Sequence, residues 1–158
     1  MADEQALRAQ LVKLLDFREA HVDFDRAVKG IPARFRGQRP RGVEHSLWQL
    51  VEHLRIAQAD ILEFCLAAKY TEKKWPDDYW PKRTGPRNPT EWTNSLVSYR
   101  RDRKALQRLA ANITIDLLAA IPHGTGQTHL REILLVADHN AYHIGQIVSL
   151  RRLLRIWT

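Results

Sequence analysis

Apolar residues recur at helical spacing in four long segments of the chain. Side chains three and four residues apart form one stripe on a helix, and such a stripe packs against neighbouring helices. No segment shows a convincing strand pattern. The pattern predicts an all-α four-helix bundle with long inter-helix loops, whose helices cover about 3–29, 44–69, 89–111 and 128–154.

Local signals fix several of these boundaries. Gly30 and Pro32 are expected to end the first helix. Asn88 is expected to cap the third helix, with Pro89 as its first residue and Glu91 at its third position. We also expect a short helical turn at 115–121.

The segment 70–87 predicts an ordered loop rather than a helix, because it is rich in proline and aromatic residues. Trp75, Tyr79 and Trp80 are expected to anchor this loop, and a role in an interface is the alternative.

Composition is typical of a globular protein. The 158 residues suit a single domain over the whole chain, and 27% of them are charged. The net charge of +7 comes from scattered basic residues without a recognisable nucleic-acid module, which argues against nucleic-acid binding and predicts a solvated surface. The single cysteine, Cys65, is expected to be a small buried hydrophobic residue.

No apolar run is long enough to span a bilayer, so we expect no membrane association. The N-terminal segment lacks the features of a signal peptide, which predicts a cytoplasmic protein. A homodimer is compatible with the sequence, which does not define the oligomeric state.

The stretch "ADHNAYHIGQI", residues 137–147, suggests a metal site. His139 and His143 lie one helical turn apart, so both imidazoles can reach one point beside the helix. Their mid-helix position excludes capping. Gln146 is expected to orient His143 through a hydrogen bond, and Gly145 suggests the close approach of another element.

A third ligand is expected from a facing helix. His53 is the best candidate because it lies mid-helix among apolar residues, although a hydrogen-bonded core histidine fits the same pattern. His45 is the second choice, because it lies near a helix start. We expect the remaining histidines to be a surface residue and two loop or helix-start residues: His21, His123 and His129.

Three imidazoles would leave one position of a tetrahedral metal open for water or substrate, which is typical of catalytic sites. Histidine ligands suit several transition metals. Second-coordination-sphere roles are conceivable for Glu52, Asp138 and Asn140, but we expect each to lie on a solvated helix face.

Two stretches of the chain resemble the DinB/YfiT-like superfamily of metal-dependent four-helix-bundle proteins: "HSLWQLVEHLRIAQADILEF" and "LLVADHNAYHIGQIVSLRRLL". The resemblance covers nearly the whole chain. It implies a bundle with a three-histidine site that maps to His53, His139 and His143, holding a divalent metal, with zinc or nickel expected first.

The resemblance also implies an activity. Some members are S-transferases in which the metal activates a low-molecular-weight thiol, and others are known mainly as stress-associated proteins. We therefore expect a metal-dependent thiol S-transferase whose partners are a small-molecule thiol and an electrophile; its catalytic residues are not identified. Arg34 or Arg36 could attract an anionic thiol at the mouth of the site.

Three alternatives remain open. The protein could bind metal without catalysis, as a stress-associated protein braced by the ion. It could be a metal-dependent hydrolase, although Glu52 and Asp138 lie about 100° around the helix from their neighbouring histidines. Nucleic-acid binding is the last alternative, suggested only by the charge.

Overall fold

The computed structural model describes residues 2–16 and 18–158, and within them the chain forms five α-helices. The helices are α1 (Ala2–Leu14), α2 (Phe24–Val28), α3 (Leu47–Leu66), α4 (Pro89–Ala111) and α5 (His129–Leu153), with a 3-10 helix at Ala33–Phe35. In the described residues the only β pairing is an isolated bridge between Ala120 and Thr128. The all-α prediction is confirmed.

The four long helices pack as a bundle. α3 packs against both α4 and α5, and α1 packs against α4. Two apolar clusters fill the interior: one surrounds Trp48 and Tyr99, and the other surrounds Leu106 and Ile133. The short helix α2 packs against α5 and closes the first cluster.

The first predicted helix, 3–29, is wrong as a continuous element. α1 ends at Leu14, and a new helix begins after Asp23, whose side chain accepts a hydrogen bond from the backbone N–H of Arg26. This cap satisfies an N–H group at the start of a helix and therefore favours a break there. The predicted stop is correct, since Gly30 has a φ of 71°. Phe17, inside the predicted helix, lies outside the described residues.

The other three long helices follow the predicted segments, α4 with the predicted bounds and α3 and α5 with shorter ends. α3 begins after Ser46, which forms a capping box with Gln49, so it starts three residues later than predicted. Asn88 caps α4 by accepting a hydrogen bond from the backbone N–H of Glu91, as predicted. Thr128 caps α5 in the same way.

The helical turn predicted at 115–121 is wrong. The backbone groups of this segment pair with the start of α5 instead: the N–H of Leu130 donates to the carbonyl of Leu117 at 2.9 Å, and the N–H of Ile121 donates to the carbonyl of Gln127 at 2.8 Å. Because Leu117 and Ile121 are both buried in the second apolar cluster, their apolar character reflects packing in a loop.

The single cysteine lies in the second apolar cluster. Cys65 is buried, and burial raises the pKa of its thiol to about 12, with Glu132 adding to the shift. It is therefore a neutral, apolar core residue, as expected.

None of the described helices has the length and apolar character required to cross a membrane.

Candidate metal centre

Three histidines from two helices meet at the interface between α3 and α5. One ring nitrogen of each of His53, His139 and His143 lies within 4.8 Å of the others. The Nε2 atoms of His53 and His139 are 3.0 Å apart. His53 is only 1% exposed and His143 only 8%. The structure thus brings together the three residues that the sequence singled out.

Each of the three imidazoles has a hydrogen-bond partner on the nitrogen that faces away from its neighbours. The acceptors are oxygen atoms without a proton, so each Nδ1 carries the hydrogen and each Nε2 keeps a free lone pair. The pairs are His53 Nδ1 with the carbonyl of Tyr79 at 3.0 Å, His143 Nδ1 with Oε1 of Gln146 at 2.7 Å, and His139 Nδ1 with Oδ1 of Asn140 at 3.4 Å.

The three imidazoles are neutral at physiological pH. Burial lowers the pKa of His53 and of His143 to about 4 each, and it also lowers the pKa of His139. Two neutral rings with unprotonated Nε2 atoms 3.0 Å apart direct lone pairs at each other, which is repulsive unless a cation or proton lies between them.

This donor set fits a divalent metal. Zinc is bound by histidine nitrogens at about 2.0–2.1 Å, which in a tetrahedral site separates two ligand nitrogens by about 3.3 Å. The 3.0 Å between His53 and His139 is close to that separation. Outer hydrogen bonds from ligand imidazoles to carbonyl or amide oxygens are the usual way in which proteins orient such ligands. The cluster could therefore hold a metal ion.

The ring of His53 is also fixed by stacking. Trp80 lies face to face with it at a centroid distance of 3.8 Å and an interplanar angle of 5°. His45 stacks on the opposite side of Trp80 at 3.7 Å. His45, the second choice as a ligand, is therefore not part of the three-histidine cluster, and it supports that cluster through Trp80.

Asp60 ties the loop 70–87 to α3, and sequence reasoning missed it. Its buried carboxylate accepts hydrogen bonds from the hydroxyls of Tyr79 at 2.6 Å and Tyr70 at 3.0 Å. Lys73 is 3.4 Å from the same carboxylate. Because the backbone carbonyl of Tyr79 accepts the hydrogen bond of His53, Asp60 holds the loop residue that orients that imidazole. The available signal was a carboxylate seven residues after His53.

Asn140 does not lie on a solvated helix face, contrary to expectation. It is fully buried, and its amide nitrogen donates to Oε1 of Gln58 at 3.0 Å and to the hydroxyl of Tyr99 at 3.1 Å. These bonds direct the amide oxygen toward His139. Asn140 therefore connects His139 to the buried polar contacts between α3, α4 and α5.

The carboxylates of Glu52 and Asp138, which precede His53 and His139 in the sequence, lie in different environments. Asp138 is exposed, as expected. Glu52 is not on a solvated face: it forms an ion pair with Arg55 at 2.8 Å and accepts a hydrogen bond from the hydroxyl of Ser95 on α4. Both lie outside the three-histidine cluster. Glu52 is engaged in the contact between α3 and α4.

The expectation for Gln146 is confirmed, and the expectation for Gly145 is wrong. Gln146 binds His143 as expected, and its amide nitrogen donates to the hydroxyl of Tyr142, which fixes the orientation of the amide. The close approach expected at Gly145 is wrong. A Cβ at this position would meet no atom within 4 Å apart from its own helix, so packing does not require glycine here.

The remaining histidines lie away from the cluster. His123 is in the loop before α5, and its Nε2 bonds to the carbonyl of Phe64 at 2.9 Å. His129 is the first residue of α5 and lies 3.3 Å from the carbonyl of Cys65. His21 is exposed. These placements match the loop, helix-start and surface positions that we expected.

A cavity of about 660 Å³ opens beside the cluster, and His53 and His139 form part of its wall. Its other walls combine aromatic side chains, among them Phe64, Tyr70 and Trp75, with polar and charged ones. The suggestion that Arg34 or Arg36 lies at this mouth is wrong. Neither residue lines the cavity, and the arginine that does so is Arg131, which pairs with Glu132 at 2.6 Å.

Comparison with known proteins agrees with this geometry. The sequence profile described as the DinB superfamily matches residues 16–147, which include α2 to α4 and the histidine-bearing part of α5. A search of curated proteins and a search of solved structures each found no matching protein. Because the profile covers more than half of the sequence, the chain belongs to the DinB superfamily.

Proposed function

We propose that the protein binds a divalent metal through Nε2 of His53, His139 and His143 and acts as a thiol S-transferase. The observation that carries the metal site is the convergence of three imidazoles whose Nδ1 atoms are all engaged elsewhere. Zinc or nickel is the ion that we propose, since imidazole nitrogens suit both. Family membership supports the same reading.

The adjoining cavity supports a catalytic role over a purely structural one. A structural zinc ion usually has four protein ligands, whereas the cluster supplies three. When bound, the metal would act as a Lewis acid that lowers the pKa of a thiol. The protein would hold the thiol and the electrophile against the aromatic side chains in the cavity wall and would keep the three imidazoles oriented.

The hydrolase alternative has less support. A hydrolase of this type requires a general base close to the metal. Glu52 is committed to Arg55 and Ser95, and Asp138 is exposed. Asp60 lines the cavity, but its carboxylate already accepts hydrogen bonds from two tyrosines.

The metal site is tested by elemental analysis of the purified protein and of His139→Ala. We expect bound metal in the native protein and its loss in the variant. His21→Ala is the matched control, because His21 is an exposed histidine that does not belong to the cluster. Equal metal content in all three proteins would overturn the proposed ligands.

The activity is tested separately by incubating metal-loaded protein with a panel of low-molecular-weight thiols and a chromogenic electrophile. We expect at least one thiol to give a rate above that of the metal-free protein. If no thiol exceeds this control while the metal is bound, the transferase proposal fails and metal binding without this catalysis remains.

A further inference from the structure

A second cavity, of about 570 Å³, lies between the end of α2 and one face of α4. Trp92, Leu96 and Arg100 follow each other at four-residue spacing and form its α4 side. Lys29 and Arg36, which precede and follow Gly30 and Ile31 in the sequence, also line it. None of these residues belongs to the three-histidine cluster or lines the cavity beside it.

Arg36 has donor groups that the protein leaves unused. Its guanidinium carbon lies 4.6 Å from the ring centroid of Trp92, and this stacking fixes the plane of the group. Its Nε is buried and has no hydrogen-bond partner, and its one hydrogen bond, to the carbonyl of Ile31, is long at 3.5 Å. Nε is buried out of reach of a ligand, whereas Nη1 forms no hydrogen bond with any described residue and is the donor available to an external acceptor.

The charges around this cavity are unbalanced. Asp25 is the only acidic residue in its wall, and it is already bound by Arg100 at 2.6 Å and by Arg103 at 3.1 Å. Arg36 and Lys29 form no ion pair with any described residue. Positive charge at a partly enclosed surface raises the local concentration of anions.

We propose that this cavity binds a small oxyanion, a phosphate or carboxylate group of a small molecule. Arg36 would donate to it in a plane set by Trp92, and Lys29 would supply a second charge. Arginine is suited to this role because its planar fork matches the oxygen spacing of phosphates and carboxylates. The apolar side chains beside Arg36, those of Trp92, Leu96 and Ile31, would contact the body of the ligand.

The test is a titration with inorganic phosphate and, in a separate arm, with acetate, at constant ionic strength. Binding is followed by NMR through the backbone amides of Gly30 and Ile31. We expect saturable shifts with at least one of the two anions, and the stronger one identifies the class of oxyanion. Arg36→Gln is expected to weaken binding about tenfold, which corresponds to the loss of a charge-assisted hydrogen bond.

Arg34→Gln is the matched control, because Arg34 also lies over an aromatic ring, that of Phe35, but is exposed and does not line the cavity. It should bind the anion as the native protein does. Lys29→Gln changes an exposed side chain and is expected to weaken binding about threefold while the fold is kept. If Arg36→Gln does not fold, the anion affinity of Lys29→Gln decides whether the cavity is the binding site. Non-saturable shifts with both anions, or equal weakening by Arg34→Gln, would overturn the proposal.

Discussion

The two sides of the histidine cluster are built in different ways. On α5, His139 and His143 are placed by the regular spacing of one helix, and their partners Asn140 and Gln146 belong to the same helix. On α3, the imidazole of His53 is oriented by residues of a distant loop. The α5 side is therefore largely specified by local sequence, whereas the α3 side depends on how 70–87 folds.

The loop side has more supports than the helix side. Two consecutive loop residues hold His53: Tyr79 accepts its hydrogen bond, and Trp80 stacks on its ring. Asp60 then fixes Tyr79 from α3. A ligand oriented by a loop needs such bracing, because loops are otherwise more mobile than the helices that they connect. The variants below test the two sides against each other.

The largest effect is expected from removing a ligand on the helix side. His143→Ala should lower metal affinity more than about 100-fold, since ligand loss exceeds the roughly 10–100-fold effect of outer-shell changes. Competition with a chromogenic chelator measures this affinity. Leu134→Ala, an exposed change on the same helix outside the cluster, serves as the control. A similar affinity in both variants would exclude His143 as a ligand.

On the loop side, Asp60→Ala should lower metal affinity by about 10–100-fold, although Asp60 is not in the cluster. The change leaves the hydroxyls of Tyr70 and Tyr79 without their acceptor and loosens the carbonyl that orients His53. The same chelator assay applies. Glu72→Ala, an exposed change in the same loop, should leave affinity unaltered. Native affinity in Asp60→Ala would mean that the loop does not position His53.

Gln146→Ala tests the corresponding support on α5 and is expected to have a smaller effect, about a tenfold loss of metal affinity. The helix itself still places His143, so only the orientation of the ring is relaxed. Gln146→Glu retains an acceptor oxygen and should recover most of the affinity. A larger loss for Gln146→Ala than for Asp60→Ala would reverse the proposed ranking of the two sides.

The smallest expected effect is a change in the free energy of unfolding when either of two glycines is replaced by alanine. Gly145→Ala should stabilise the protein by roughly 0.5–1 kcal/mol, because alanine favours the helix and the added Cβ meets open space. Gly124→Ala should destabilise it, because its Cβ would lie 2.7 Å from Oε1 of Gln127 and 3.0 Å from Cζ of Phe64. Urea denaturation measures both. Destabilisation by Gly145→Ala would restore a structural need for glycine in α5.

Periodicity predicted the bundle because each long helix buries an apolar stripe, and it identified His139 and His143 because one helix fixes their spacing. It also selected His53 as a mid-helix histidine among apolar residues. Metal binding by these residues stays a prediction. The break at Asp23 was missed because apolar spacing continues across it, and the cap that decides it involves only a single side chain.

Contacts between residues that are far apart in the sequence could not be predicted from the sequence alone. Asn140 carries the same side chain whether it faces solvent or Tyr99, and only the packing of three helices decides between them. The same holds for Asp60, whose partners come from the loop 70–87. The helical turn expected at 115–121 failed for a related reason, since its backbone bonds to the start of α5 outweigh its local preference.

The stacking of His45, Trp80 and His53 has an optical consequence. The indole of Trp80 lies face to face with an imidazole of the cluster at 3.8 Å, so its excited state is in electronic contact with whatever that imidazole binds. Ions with a partly filled d shell, such as nickel or copper, quench a nearby indole, whereas zinc with its filled shell does so far less. The fluorescence of Trp80 would therefore give the protein a built-in signal that distinguishes one bound metal from another.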